Sequence, residues 1–433
     1  MYNIIYIYEE KQLLKKNRKK LLLIITLISL YMNFMLKVKT KLNKLINFEQ
    51  INSVDDFINN LNNYSIYREP QYILLFDFIY SPFCEDFNAY TIFKYYQENK
   101  INNAYYVLNE GTELYKSLLM QNNTKNIIPY KKEDHNSHLF PFLLNSKIII
   151  QSYALLFFQI IASHVKYLKF LYICHAVNYF KTSIIKMQLS QLAKLKQNII
   201  LTSPYEYNLY KKLNLYNERS MHKGGLARYD RFNYIKKNLT EKQCILISFT
   251  YRSFKKAIYN KSLFKKNTYK LLNDRTLKYI LANRNIDLIF IQHHHDIRQG
   301  NIINKNISNK IKFISQKNLP HYIEQCSLFI TDFSSISFDF MFQNKPVLFY
   351  HLDKKDKFKF LEKSFMKIDY NNSIYFDNVF LKIRKLVNKV EFYINRNFSL
   401  EEGLAKKYKT MFYYKKNITQ KIVNIINNLI KND

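Results

Sequence analysis

The densest chemistry in the chain is the string Thr331–Phe340, TDFSSISFDF. Asp332, Ser334 and Ser335 are helix-starting residues, and Phe338, Met341 and Phe342 give the helix that follows an apolar side. Unpaired backbone N–H groups at a helix N-terminus bind phosphate, and hydroxyls there add donors, so Ser334 and Ser335 suit a pyrophosphate. Asp332 either caps that helix or orients a ligand hydroxyl; a plain Ser/Asp capping box is the bland alternative. A second string, FIQHHHDI at Phe290–Ile297, ends a strand with histidines. Successive strand residues face opposite ways, so the three are not expected to serve one site, and His293 and His294 are the candidates for a phosphate contact. A metal cluster is disfavoured because only Asp296 stands at ligand spacing. SFTYRSF, Ser248–Phe254, puts Arg252 where a guanidinium can grip phosphate oxygens. GGLARYD, Gly224–Asp230, is a tight turn carrying Arg228 and Asp230, either functional or only structural. ICHAVNYFKTS ends an earlier strand with His175, a general base near neutral pH if it faces a cleft and a satisfied structural histidine if it does not.

These residues share one placement: each follows a short apolar, β-branched or aromatic run. The expected strands are Gln71–Phe78, Ala104–Leu108, Lys147–Gln151, Lys169–Cys174 and Asn198–Thr202, then Cys244–Phe249, Asp287–Gln292, Lys310–Ile314, Leu328–Thr331 and Pro346–Tyr350. Continuous apolar runs separated by amphipathic stretches predict parallel sheets covered on both faces, and two series predict two doubly wound α/β domains facing a cleft. The expected division is residues 1–45, 46–215, 216–395 and 396–433, the last a helix over Glu401–Lys431 packing back on the first domain. In such sheets ligands sit beyond the carboxyl ends of the strands, where the motifs fall.

The chain has 433 residues, 48% of them hydrophobic, which excludes a disordered polymer. Its formal charge of +34 suits a polyanionic substrate, anionic lipid or nucleic acid. An AT-rich coding sequence produces the same bias toward Lys, Asn, Ile, Tyr and Phe. The basic residues are spread along the chain rather than gathered in a patch, so nucleic acid is not the expected partner. Cys84, Cys174, Cys244 and Cys326 form no CxxC pair, which argues against a zinc site and a disulfide framework. Leu21–Leu36 is apolar but short for a span, is interrupted by Asn33 and is flanked by lysines on both sides. It is expected to lie as a helix in the cytoplasmic face of the cell membrane, held by anionic lipid.

Taken in order, the motifs resemble the CDP-glycerol:poly(glycerophosphate) glycerophosphotransferase family of teichoic acid synthesis. The resemblance rests on His175 with Lys181, on Gly225, Arg228 and Asp230, on Thr250, Tyr251 and Arg252, on His293 or His294, and on Asp332, Ser334, Ser335 and Asp339 before Lys345. Glu85–Tyr96 looks like the family's early Asp-Asn helix. The chain departs from the family pattern at Ala176, at Ala227 and in the histidine that follows the strand-end histidine. The resemblance implies a GT-B fold, with acceptor on the first domain and donor on the second. It implies transfer of glycerol phosphate or ribitol phosphate from CDP-glycerol or CDP-ribitol to a polyanionic or lipid-linked glycan acceptor, with CMP released and no cofactor or metal. His175, with His293 or His294, is then the catalytic group. Arg228, Asp230, Arg252, Asp332, Ser334, Ser335 and Asp339 hold the donor, Asp339 through one of its hydroxyls. A GT-B glycosyltransferase using a nucleotide sugar and a non-enzymatic polyanion-binding protein are the alternatives.

Overall fold

The computed structural model describes residues 71–77, 88–130, 139, 142–143, 145–152, 168–177, 197–212, 214, 216–233, 242–252, 256–298, 300, 303, 311–353 and 378–431. The expected membrane segment, Lys181 and residues 85–87 of the early Asp-Asn stretch lie outside these residues. The chain forms two units, residues 1–70 with 130–145, and residues 71–129 with 146–433. In the first unit the described Leu139 and Leu143 are buried. The second unit carries two sheets.

The first sheet has the order β3-β2-β1-β4-β5-β6-β7. Its strands are β1 (Tyr72–Phe76), β2 (Ala104–Asn109), β3 (Ile127–Tyr130), β4 (Ser146–Gln151), β5 (Lys169–Ile173), β6 (Asn198–Leu201) and β7 (Met221–Lys223). The second sheet has the order β10-β9-β8-β11-β12-β13. It is built from β8 (Cys244–Ser248), β9 (Asp287–Ile291), β10 (Ile311–Ile314), β11 (Leu328–Thr331), β12 (Val347–Tyr350) and β13 (Val379–Phe380). From β1 and β2 through β4 to β7, and throughout the second sheet, neighbouring strands run parallel. Each sheet reverses its order beside its first strand, between β1 and β4 and between β8 and β11. That is the doubly wound pattern, whose crevice opens at the carboxyl ends of those paired strands.

The central strands form where fully buried Val, Ile, Leu and Phe need apolar cover on both faces. Ile73–Phe76, Ile148–Ile150, Cys244–Ile247 and Leu328–Ile330 are all buried. Helices supply the cover, among them α1 (Asn88–Glu98) and α2 (Pro204–Lys212) on the first sheet. The second sheet has α3 (Leu263–Leu272), α4 (Arg275–Asn283), α5 (His294–Arg298), α6 (Leu319–Gln325), α7 (Ile336–Phe342) and α8 (Ile383–Asn395). The strands absent from the sequence reading are β3, β7 and β13. All three are sheet edges, short and partly exposed, so none is long enough to stand out as an apolar run.

β7 extends the first sheet to Lys223, past the expected boundary at residue 215, because Met221–Lys223 pairs with β6. The expected single C-terminal helix is two, α9 (Glu402–Thr410) and α10 (Ile418–Lys431). α9 is capped by Met411, and Asn417 takes a φ of 55° just ahead of α10. α10 packs its buried Ile418, Ile422, Val423 and Ile426 into the core that includes Ile73 and Ile148 of the first sheet.

Candidate active site

At the second sheet's reversal point, β8 and β11 lie side by side and their chains leave in opposite directions. The two loops are tied together by Asp332. Its Oδ1 accepts from Thr250 N at 3.0 Å, Thr250 Oγ1 at 2.9 Å and Phe333 N at 2.7 Å. Arg252 then gathers the neighbouring loops. Its Nε and Nη2 donate to the two oxygens of Asp353 at 2.8 and 3.0 Å, its Nη2 meets Asp332 Oδ2 at 2.7 Å, and its Nη1 donates to Thr250 O at 2.7 Å. The rings of Phe264 and Phe333 stand 4.7 and 4.8 Å from the guanidinium carbon. Its backbone N–H donates to Asp296 Oδ1 at 3.3 Å. One arginine therefore joins the loops that follow β8, β9, β11 and β12.

This geometry changes the reading of Arg252. It was expected to grip phosphate, but in this structure Nε, Nη1 and Nη2 all engage protein acceptors and the side chain is buried. Burial alone would favour losing its proton. The adjacent Asp353 and Asp332 carboxylates outweigh that and hold it firmly protonated. Asp296, beside it, is pushed up to about 7 by burial, against the pull of Arg252's N–H and charge.

The histidine run also departs from expectation. The strand stops at Ile291 and α5 begins at His294, so strand alternation does not govern these residues. The three rings gather, with centroids 4.7 Å apart for His293 and His294, 5.3 Å for His293 and His295, and 4.1 Å for His294 and His295. Tyr251 adds its ring 5.5 Å from His293 and 5.2 Å from His295. His294 is pinned, its backbone N and its Nδ1 meeting Gln316 Oε1 at 2.8 and 2.7 Å. Burial, His294 and Arg298 lower the His295 pKa. Among the described residues, no three His, Cys, Asp or Glu form a group able to hold a metal ion.

After Asp332, Ser334 and Ser335 lead into α7, whose whole run from Ser337 to Phe342 is buried. Ser334 Oγ accepts from Ile336 N at 3.3 Å, while Ser335, at the cap position, makes no side-chain cap bond. Asp339, one turn on, is buried and accepts from Arg228 Nη2 at 2.6 Å. Lys345 donates to Ile323 O at 2.9 Å and to Glu324 O, closing the end of α6.

The GGLARYD turn joins the sheets. A Cβ on Gly224 would stand 2.5 Å from Ile200 Cγ2, and one on Gly225 would stand 2.7 Å from Ile418 Cγ2, so only glycine fits. Arg228 reaches Asp339 on the second sheet's α7. Asp230 turns away from that meeting point. Its carboxylate caps α10, accepting from Ile418 N at 2.9 Å and Thr419 N at 2.7 Å. In the first sheet His175 follows β5 on an exposed turn between buried Cys174 and Ala176.

Asp77 and Asp353 were not singled out from the sequence, whereas Asn88 lies in the stretch likened to the family's early Asp-Asn helix. Asp77 follows β1 as Asp353 follows β12. Asp77 accepts from Ala89 N at 3.2 Å, Tyr90 N and Tyr106 OH at 3.0 Å, and from Ser152 Oγ. Asn88 opens α1 and is buried. Asp353 closes KPVLFYHLD, and a polar residue just past a buried strand was the available signal.

A family model described as CDP-Glycerol:Poly(glycerophosphate) glycerophosphotransferase matches residues 70–428. The minor teichoic acid biosynthesis protein GgaB of Bacillus subtilis (strain 168) is 30% identical over 261 residues, which is 56% of this chain. That match spans only 28% of GgaB's length. The solved wall teichoic acid polymerase TagF superposes with a TM-score of 0.60 and 13% identity, over 92% of this chain and 98% of TagF. A TagF structure soaked with CDPG gives 0.58 at 12% identity, over 92% and 97%. MnaA of S. aureus, solved with UDP, gives 0.51 at 14% identity, over 83% and 97%. At these identities the solved structures share the fold.

Proposed function

The chain belongs to the CDP-glycerol:poly(glycerophosphate) glycerophosphotransferase family, and we propose that it moves glycerol phosphate or ribitol phosphate from a CDP-alcohol to a hydroxyl of a polyanionic or lipid-linked glycan. The observation that carries this reading is the extent of the family match, residues 70–428, which takes in the strands of both sheets. GgaB's role in minor teichoic acid synthesis and the CDPG soaked into TagF support it.

The proposed arrangement is GT-B, with acceptor on the first sheet and donor at the β8/β11 reversal point. His175 takes the proton of the acceptor hydroxyl. The freed oxygen attacks the phosphorus next to the alcohol, the bond from that phosphorus to the bridging oxygen breaks, and CMP leaves with the electron pair. Ser334, Ser335 and the His293–His294 edge supply donors to the pyrophosphate as charge shifts onto CMP. Arg252 serves this site by holding four loops in place, and Arg228 with Asp339 holds α7 against the first sheet. The net charge of +34 favours a polyanionic product. Residues 21–36 rest on the cytoplasmic face of the membrane. Fractionating the full chain against one lacking residues 1–41 checks this, and a full chain that stays soluble at low salt removes the anchor.

Purified protein is to be incubated with acceptor and CDP-glycerol, CDP-ribitol or UDP-sugars while nucleotide release is followed. CMP release from a CDP-alcohol is expected, and His175→Ala is expected to slow it about a hundredfold while leaving donor affinity intact. UDP release alone would replace this reaction with sugar transfer.

A further inference from the structure

Asn88 spends its side-chain amide on two backbone groups far away in the chain. Its Nδ2 donates to Cys174 O at 2.9 Å, and its Oδ1 accepts from Arg228 N at 3.2 Å. Cys174 O belongs to the residue immediately before His175. Arg228 carries the side chain that meets Asp339 Oδ1 at 2.6 Å, in an ion pair with both side chains almost fully buried. The guanidinium also lies 5.0 Å from the centre of the Tyr229 ring. A continuous path therefore runs from the turn bearing His175, through one amide, to a charged strut that ends on α7 beside Ser334 and Ser335.

Asn88 itself has little freedom. It is the first residue of α1 and 1% exposed, and the next two backbone N–H groups are held by Asp77. A buried primary amide that loses its partners leaves both a carbonyl and an N–H unsatisfied, so the two bonds hold the connected segments in one register. Asn suits this place because it offers a donor and an acceptor on one short, stiff arm. Asp would keep the bond from Arg228 N and set a carboxylate oxygen against the Cys174 carbonyl.

We propose that Asn88 is a positioning residue that sets the His175 turn against the Arg228–Asp339 strut, and so sets the distance between the proton acceptor and the donor phosphates. The proposal rests on the reading of His175 as the general base. A misplacement of about 1 Å in such a pair costs on the order of a hundredfold in rate, which is the scale expected here.

The test uses the full chain and the variants Asn88→Ala, Asn88→Asp, His175→Ala and Asn88→Ala/His175→Ala. Turnover on a CDP-alcohol, calorimetric affinity for that donor, thermal melts and the NMR titration of the histidine ring signals are measured. The His175 signal is identified by its loss in His175→Ala. Asn88→Ala and Asn88→Asp are expected to lower kcat tenfold or more with donor affinity unchanged. They are also expected to move the His175 signal and its titration while those of His222 stay in place. In the His175→Ala background, removing Asn88 is expected to change turnover by less than twofold. Unmoved His175 titration in a folded Asn88 variant overturns the proposal, as does an equal loss of turnover with and without His175. Should His175→Ala itself keep wild-type turnover while the Asn88 variants still shift the His175 titration, positioning stands and the general base falls. Asn88→Asp keeps the bond to Arg228, so it supplies the answer if Asn88→Ala does not fold.

Discussion

The two sheets reverse their strand order in the same way, yet they stabilise the buried carboxylates at those points by different means. Beside β1 and β4, Asp77 is surrounded by N–H and O–H donors from Ala89, Tyr90, Tyr106 and Ser152. Beside β8 and β11, Asp332 shares the Arg252 guanidinium with Asp353. Neutral donors only partly offset the loss of water, and burial pushes Asp77 up to about 6. A guanidinium neutralises charge outright and fixes direction through its planar fork, so it can lock several loops at once. The same topology thus yields one reversal point whose acid gains a proton easily and one held as a permanent ion network.

The sharpest break of this comparison is Arg252→Ala. It leaves Asp332 and Asp353 buried without their cation and is expected to cost about 3–5 kcal/mol in denaturant unfolding. Ser152→Ala, which removes one neutral donor from Asp77, is expected to cost about 1–2 kcal/mol. Equal losses would mean that the two points are stabilised alike.

The next effect is on pH dependence. Asp77 and Asp296 titrate in the fold near 6 and near 7, above the ordinary 3.8. Between those values the folded chain binds more protons than the unfolded one. The stability from this linkage is complete below about pH 4 and is lost as pH rises through 6 and 7. Asp296→Asn keeps an acceptor for Arg252 N and removes the titration. Melts from pH 4 to pH 8 are expected to show a shallower fall for this variant than for wild type, with its relative gain at the alkaline end. An unchanged slope would place the titration elsewhere.

Smaller effects sharpen the division between framework and ligand residues. Asp230→Ala strips the cap from α10 and is expected to cost about 0.5–2 kcal/mol, read from the melt. Ser334→Ala removes the acceptor of Ile336 N and is expected to cost about 1 kcal/mol. Ser335→Ala removes no cap bond, so its stability is expected to stay within about 0.5 kcal/mol of wild type. Its donor affinity is expected to drop about tenfold, measured by calorimetry, as for one lost bond to a charged group.

The central strands were legible because burial on both faces demands uninterrupted apolar runs, and Leu328–Thr331 lies where its sequence predicts. The strand-end placement of Arg252, Asp332 and His175 was legible for the same reason, since the polar residue after such a run must sit at the sheet's edge. The edge strands were not. Met221–Lys223 buries only Met221 and exposes Lys223, so it carries no apolar run to read. The gathering of the three histidine rings was not legible, because the strand stops at Ile291 and His294 is held by Gln316, 22 residues on.

By itself, then, the sequence determined two parallel sheets, the order of their motifs and the family to which they belong, since local periodicity and short strings carry that information. What only the tertiary structure decided is which charged residues face one another. Arg228 meets Asp339 across 111 residues, Arg252 meets Asp353 across 101, and Asp230 turns to α10 across 188. No local pattern encodes such pairs. They are set when two separately formed sheets and a returning helix pack together, and burial then makes each charge find a partner or remain at a cost of several kcal/mol.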